Sequence, residues 1–380
     1  MAEVNYAKGL DGVIAAESRI CKIDGENGKL FYLGYSISDL VEYCTFEEVT
    51  YLLLYGELPN KEQLAVFSAK MRNARDLPEP VITMIRDFPD NAHPMELLQS
   101  VISYLSSYVE HKIHHGPHCN CRDTLHQLSQ IGSVIATYYR FSQGTEYVEP
   151  RRDLSYGANF LYMLRGEEPE PREGEIMDKA LILHAEHSFN ASTFTSRVVA
   201  STMSTCYCSI SAAIGALYGS LHGGANEKVM DMVDEIGSKE KAREWVNNAL
   251  DKKQKVMGMG HRVYRAKDPR AILMEEYLRE LSEKKNDSSY YDTLKEVETT
   301  FRERMEEKGK PIYPNVDFFS GAVYRTLGIP TVLFTPIFAM ARASGWLSHI
   351  LEQRSDNRIF RPKALYTGDT LRRFVPIDER

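Results

Sequence analysis

The chain has no long apolar run. No stretch of its 380 residues approaches the roughly 18 uninterrupted apolar residues that a membrane-crossing helix needs, so no span is expected. The first twenty residues, MAEVNYAKGLDGVIAAESRI, lack a basic segment followed by a long apolar run, so no secretory signal is expected there. Cysteine is scarce. Six in 380 residues make no disulfide scaffold and fit a reduced, cytoplasmic setting. Positive charge is not in excess either: 46 Lys and Arg stand against 53 Asp and Glu, a net charge of -7. That balance argues against general nucleic-acid binding while leaving room for a local basic pocket. Internal repeats, low-complexity linkers and a P-loop are also missing.

What is there is an ordinary globular composition, 43% hydrophobic and 26% charged. The chain is long enough for one large domain or two, with ample core. The pattern reads as mostly helical. Short strands are expected at residues 18–25 and 29–35, around the turn Gly25-Glu26-Asn27-Gly28. Ser38 is expected to cap a helix, and helical apolar spacing runs from Phe46 to Tyr55 up to Gly56, then again from Met95 to about Leu105. Residues 167–175 are expected to join two helices, and 284–289 to form an exposed turn.

Four stretches can carry chemistry. From Lys255 to Arg270, two glycines (Gly258 and Gly260) precede His261, and Arg262, Arg265 and Arg270 follow. Glycine lets a backbone approach a ligand, arginine forks grip carboxylate or phosphate, and histidine moves protons near neutral pH. The plainer alternative is a glycine loop before a solvated basic helix start. In His184-Ala185-Glu186-His187, the two histidines are expected on one face of a helix running on from Ile176. They form either a metal pair, though not of zincin spacing, or core histidines bonded to carbonyls. In Leu221-His222-Gly223-Gly224-Ala225-Asn226, His222 sits in a glycine turn between two helices. The positive end of the second helix disfavours its protonation, and a neutral imidazole can donate to a developing oxyanion. Otherwise this is a helix-breaking turn. In the stretch from Tyr313 to Gly321, Asp317 is either a first-turn acid or a general base in an apolar pocket beside Phe318 and Phe319. A fifth stretch, residues 111–121, packs four histidines and two cysteines into eleven residues. Its spacing matches no paired zinc pattern, so it reads as either a metal site or an exposed variable loop.

Taken in order, these motifs resemble the citrate synthase family. The residues that carry the resemblance are Leu221 to Asn226, then Gly258-Met259-Gly260-His261-Arg262-Val263-Tyr264-Arg265 with Asp268-Pro269-Arg270, then Asn315-Val316-Asp317-Phe318. Supporting matches are Gly9 to Val13, Ile23-Asp24-Gly25, His93-Pro94-Met95, His184 to His187 and Arg361-Pro362-Lys363. The resemblance covers nearly the whole chain. It implies a mainly α, two-domain helical fold with a few short N-terminal strands. Residues 1–222 and 323–380 would form the large domain and 223–322 the small one, with the site between them. It further implies condensation of acetyl-CoA with oxaloacetate and hydrolysis of the citryl-CoA thioester, without metal or redox cofactor, in a homodimer.

The same resemblance assigns roles. Asp317 matches the base that takes a methyl proton, His222 the donor to the enolate oxygen, and His261 the donor to the oxaloacetate carbonyl. His187, Arg270, Arg342 and Arg361 match the oxaloacetate ligands, with Arg361 acting in the partner subunit's site. The stretch Lys255, Val256, Met257, Gly258 and Met259, with Arg262 and Arg265, matches the coenzyme A contact. Three alternatives stay open: a 2-methylcitrate synthase using propionyl-CoA, a citryl-CoA lyase, and a metal-binding or sensory protein working through residues 111–121.

Overall fold

The three N-terminal strands form a small antiparallel sheet. Cys21–Asp24 pairs with Lys29–Tyr32, which pairs in turn with Tyr35–Ser36. Side-chain alternation buries Leu30 and Tyr32 and leaves Lys29 in solvent. The two expected strands are therefore present, shortened at their ends. The structure is a computed structural model describing residues 6–89, 91–109 and 121–380. The first ten residues of the His/Cys-rich stretch 111–121 lie outside the described residues, and of Cys121 only its helical backbone is described.

Everything else of regular structure is helical, with sixteen α-helices among the described residues. Local signals set most boundaries. Thr45 and Glu48 form a reciprocal capping box on Phe46–Tyr55, and Gly56 closes that helix in the left-handed conformation. Two expectations shift. The first helix, Ile37–Tyr43, is capped by Ser36 and not Ser38, because Ser36 stands in extended backbone and accepts from the Asp39 N–H while Ser38 is already inside the first turn. The joint expected over residues 167–175 is shorter, since Pro171 at the first helical position starts Pro171–His184.

The core is organised on Phe334–Ser355, a helix buried along almost its whole length. Against it pack Phe46–Tyr55, Cys121–Ser142, Ala191–Ser201 and Cys206–Tyr218. A second group of helices packs mainly on itself: Ala225–Ile236, Lys239–Asp251, Pro269–Lys285, Ser289–Glu306 and Asp317–Thr326. The two groups meet where Glu227, in the first turn of Ala225–Ile236, accepts the N–H of Thr335 at 3.1 Å. This seam positions the site.

Candidate active site

His222 occupies the turn between Cys206–Tyr218 and Ala225–Ile236, with Gly224 left-handed at the second helix's start. Its Nε2 accepts the Ser192 backbone N–H at 3.2 Å and lies 2.9 Å from the Ser192 hydroxyl. A ring nitrogen that accepts a backbone N–H carries no proton, so the proton of the neutral ring sits on Nδ1. Burial, followed by the positive charge of Arg342, lowers its pKa to about 4. The direction agrees with the sequence reading, while the causes are burial and a neighbouring cation and not the helix end.

His261 shows the mirrored arrangement. Its Nδ1 accepts two backbone N–H groups, from Val263 at 3.0 Å and Tyr264 at 3.1 Å, so Nε2 carries the proton. Burial, then Arg270, lowers its pKa to about 4. Two histidines thus stand neutral at physiological pH, each with one defined donor nitrogen.

Asp317 is the first residue of Asp317–Thr326. It is a first-turn acid; Val316 at the cap position makes no side-chain cap bond, and the Asn315 Oδ1 accepts the Asp317 N–H at 2.9 Å. Burial pushes Asp317 up to about 6, against the pull of Arg270. The loop that carries it is tied to the loop that carries His261. Met259 and Pro314 form an antiparallel bridge, with Gly260 N–H donating to the Tyr313 carbonyl at 2.8 Å and Asn315 N–H to the Gly258 carbonyl at 2.9 Å. The Asn315 side-chain amide adds a third bond, to the Gly260 carbonyl at 2.8 Å.

Gly258 makes that junction possible. Its φ is +75°, and a Cβ there would stand 2.9 Å from Cα and Cβ of Phe318. Gly258→Ala is expected to cost about 2–4 kcal/mol and to lower kcat, read by thermal melting and steady-state rate. An unchanged melting temperature would sink this account of the junction.

Two buried arginines complete the centre. Arg270 is held through its Nε and Nη2 by the Asp268 carboxylate at 3.0 and 2.7 Å. Burial disfavours its charge, but Asp268 more than offsets this and the net shift is upward. Arg342 projects from Phe334–Ser355, lies over the Phe338 ring and donates through Nε to the His184 carbonyl at 2.7 Å. His187, His222, His261, Arg270, Asp317 and Arg342 together line one cavity of about 150 Å³.

The family model described as "Citrate synthase, C-terminal domain" matches residues 9–363. The chain is 44% identical to a citrate synthase of Deinococcus radiodurans over 99% of both proteins. It is 42% identical to 2-methylcitrate synthase 2 of Corynebacterium glutamicum, over 98% of this chain and 97% of that one. Among solved structures, citrate synthase from the thermophilic archaeon Thermoplasma acidophilum, in ternary complex with carboxymethyl coenzyme A and oxaloacetate, superposes with a TM-score of 0.90 at 33% identity. It covers 99% of this chain and all of that one. The chain belongs to the citrate synthase family. It is a condensing transferase of the mainly α fold that the motifs implied.

Not every residue matched to this family reaches the cavity. Arg361 lines a different and far larger one of about 1560 Å³, with Arg19, Arg197 and Glu352. None of Lys255, Val256, Met257, Gly258, Met259, Arg262 and Arg265 lines the small cavity. Lys255, Arg262 and Arg265 are exposed, Val256 and Gly258 are buried, and Arg262 pairs with Asp11.

The expectation of two histidines on one helix face is corrected. The helix ends at His184, and His187 lies three residues beyond it. The Tyr32 hydroxyl accepts the Glu186 N–H at 3.2 Å, and Ser188 turns left-handed at φ +56°, so the chain leaves the helical path. His184 is the core histidine of the pair, its Nδ1 bonded to the Ala180 carbonyl at 2.8 Å. Within this citrate synthase-type site, sequence reasoning missed Ser192, which sets the His222 tautomer, and Asn190 and Asn226, which share the cavity wall. Asn226 stands inside the His222 motif, whereas nothing in the sequence marks Ser192.

Proposed function

We propose that the chain condenses acetyl-CoA with oxaloacetate and hydrolyses the resulting citryl-CoA to citrate and coenzyme A. The observation that carries this is the pairing of a carboxyl raised to about 6 with two neutral imidazoles whose donor nitrogens are fixed, in one cavity with two buried arginines. A carboxylate is far too weak a base to take a methyl proton unless the enolate oxygen is stabilised as it forms. Asp317 takes the proton, and His222 donates from Nδ1 to the thioester oxygen. His261 donates from Nε2 to the oxaloacetate carbonyl as it becomes an alkoxide. Arg270, Arg342 and His187 hold the carboxylates of oxaloacetate.

Further parts of this reading rest on the family. Residues 223–322 act as a small domain against 1–222 and 323–380. Lys255 to Met259, Arg262 and Arg265 contact coenzyme A. Arg361 serves the site of a second copy in a homodimer, which accords with its lining a different cavity in its own chain. Neither a metal nor a redox cofactor is required, and the setting is cytoplasmic. Among the described residues, no helix is long and apolar enough to cross a membrane.

A second reading is favoured by the likeness to a 2-methylcitrate synthase: propionyl-CoA as acyl donor. One methylene separates the two thioesters, worth about 1–3 kcal/mol of discrimination. Free thiol release from each, with oxaloacetate, decides. At least a roughly tenfold preference in kcat/KM for acetyl-CoA is expected. The reverse preference would move the chain to 2-methylcitrate synthesis, and no thiol from either would sink the condensation reading.

A further inference from the structure

Behind His187 runs a line of buried polar groups outside the cavity. Glu186 and His349 are both fully buried. The Ser188 N–H donates to Glu186 Oε1 at 2.5 Å, and Ser188 holds φ +56°, a conformation that a residue with a Cβ adopts only at a cost. His349 Nε2 lies 3.0 Å from the same oxygen. On the ring's other side, Arg197 Nη1 lies 3.1 Å from Nδ1. A guanidinium can only donate, so Nδ1 accepts, and the ring proton sits on Nε2 and points at Glu186.

The line is anchored at both ends. Arg197 is fixed by Glu352 at 2.7 Å and Gln353 at 3.2 Å. The Glu186 backbone is held by the Tyr32 hydroxyl, 2.9 Å from its carbonyl. The carboxylate abuts Gly345, where an added Cβ would collide with Oε2, so it has no room to swing towards that helix. The line therefore ends in one backbone N–H, that of the residue following His187.

We propose that Glu186, oriented by His349, is a positioning residue that holds Ser188 in its left-handed turn and so aims the His187 imidazole at a carboxylate of the 2-oxo dicarboxylate. This rests on the reading of the cavity as an oxaloacetate site. Glu186 touches neither substrate nor reacting atoms and acts through His187. His187 itself packs against the His261 and Tyr264 rings, its Nε2 3.4 Å from the Tyr264 hydroxyl. A swing of the loop by a fraction of a turn would lose that placement.

The test uses the full chain and three variants: Glu186→Gln, His349→Phe and His349→Gln. In Glu186→Gln and His349→Phe, KM for oxaloacetate is expected to rise about tenfold, while kcat and KM for acetyl-CoA stay within about threefold. His349→Gln returns an N–H donor at the position of Nε2 and is expected to recover most of the loss. Oxaloacetate binding measured by calorimetry, without acetyl-CoA, should weaken in parallel. If Glu186→Gln does not fold, the two His349 variants decide between them. Equal effects on both substrates, or a lowered melting temperature with an unchanged KM for oxaloacetate, would overturn the proposal. So would a failure of His349→Gln to differ from His349→Phe. A wild-type chain that releases no thiol from either acyl-CoA and binds no oxaloacetate would instead overturn the reading on which the inference rests.

Discussion

Asp317→Asn is expected to lower kcat for thiol release about 10³-fold or more while leaving oxaloacetate binding nearly intact, since the amide keeps the volume and loses the base. The same carboxyl sets a pH dependence. Burial raises it to about 6 from an ordinary value of 3.8. As the base it must be ionised, so kcat should fall as the pH drops through about 6. Its effect on stability has the opposite sense. Between 3.8 and about 6 the folded chain binds more protons at this site than the unfolded chain, so stability falls as pH rises through that window. Above it the ionised carboxylate carries a cost of about 3 kcal/mol. The Asn variant has no such cost. It should therefore melt higher than the parent at pH 8, with the gap closing as the pH falls towards 4.5. A variant with parental activity, or a gap that widens on acidification, would refute the assignment of Asp317 as a buried base.

Removing the His222 imidazole ranks second in expected effect. His222→Ala should lower kcat by about 10²–10³-fold, the usual loss when one donor to a developing oxyanion is deleted. KM for oxaloacetate should move little, because the donor faces the thioester. The tautomer argument yields a finer expectation for Ser192→Ala. The backbone N–H of residue 192 still fills Nε2 at 3.2 Å, so Nδ1 keeps its proton and the rate should drop less than about tenfold. A loss as large as that of His222→Ala would mean that the hydroxyl, not the backbone, sets the ring.

Much of the fold is legible in the amino-acid sequence, and particular residues show why. The strands at the N-terminus are legible because β-prone residues flank a glycine turn, and the Phe46–Tyr55 helix because a cap, an apolar period and a terminal glycine agree. That Asp317, His222 and His261 come together is legible through linear motifs, and the structure lines one cavity with all three; the tasks given to them are those we propose. Helical spacing fails for the His184 and His187 pair because the helix is broken between them by a distant side chain, Tyr32. Ser192 and His349 escape notice for the same kind of reason. Each matters only through a contact, 30 residues away for Ser192 to His222 and 163 for Glu186 to His349. Such contacts leave no local pattern. The His/Cys-rich stretch, read as a metal site or a variable loop, keeps both readings, since residues 111–120 lie outside the described part.

The bridge between Met259 and Pro314 has a consequence for how the enzyme's chemistry can vary. It makes His261 and Asp317 a single casting, clamped by three hydrogen bonds and one glycine. His187, His222 and Arg342 belong to the opposing half of the mould, built on the long buried helix and the turns beside it. The relation between His261 and Asp317, the proposed carbonyl donor and base, is thus set within one half. Admitting a longer acyl chain therefore falls to the His222 side, whose proposed donor must stay on the thioester oxygen while Asp317 takes the proton. A scaffold divided in this way can change its acyl substrate by small steps while keeping one reaction.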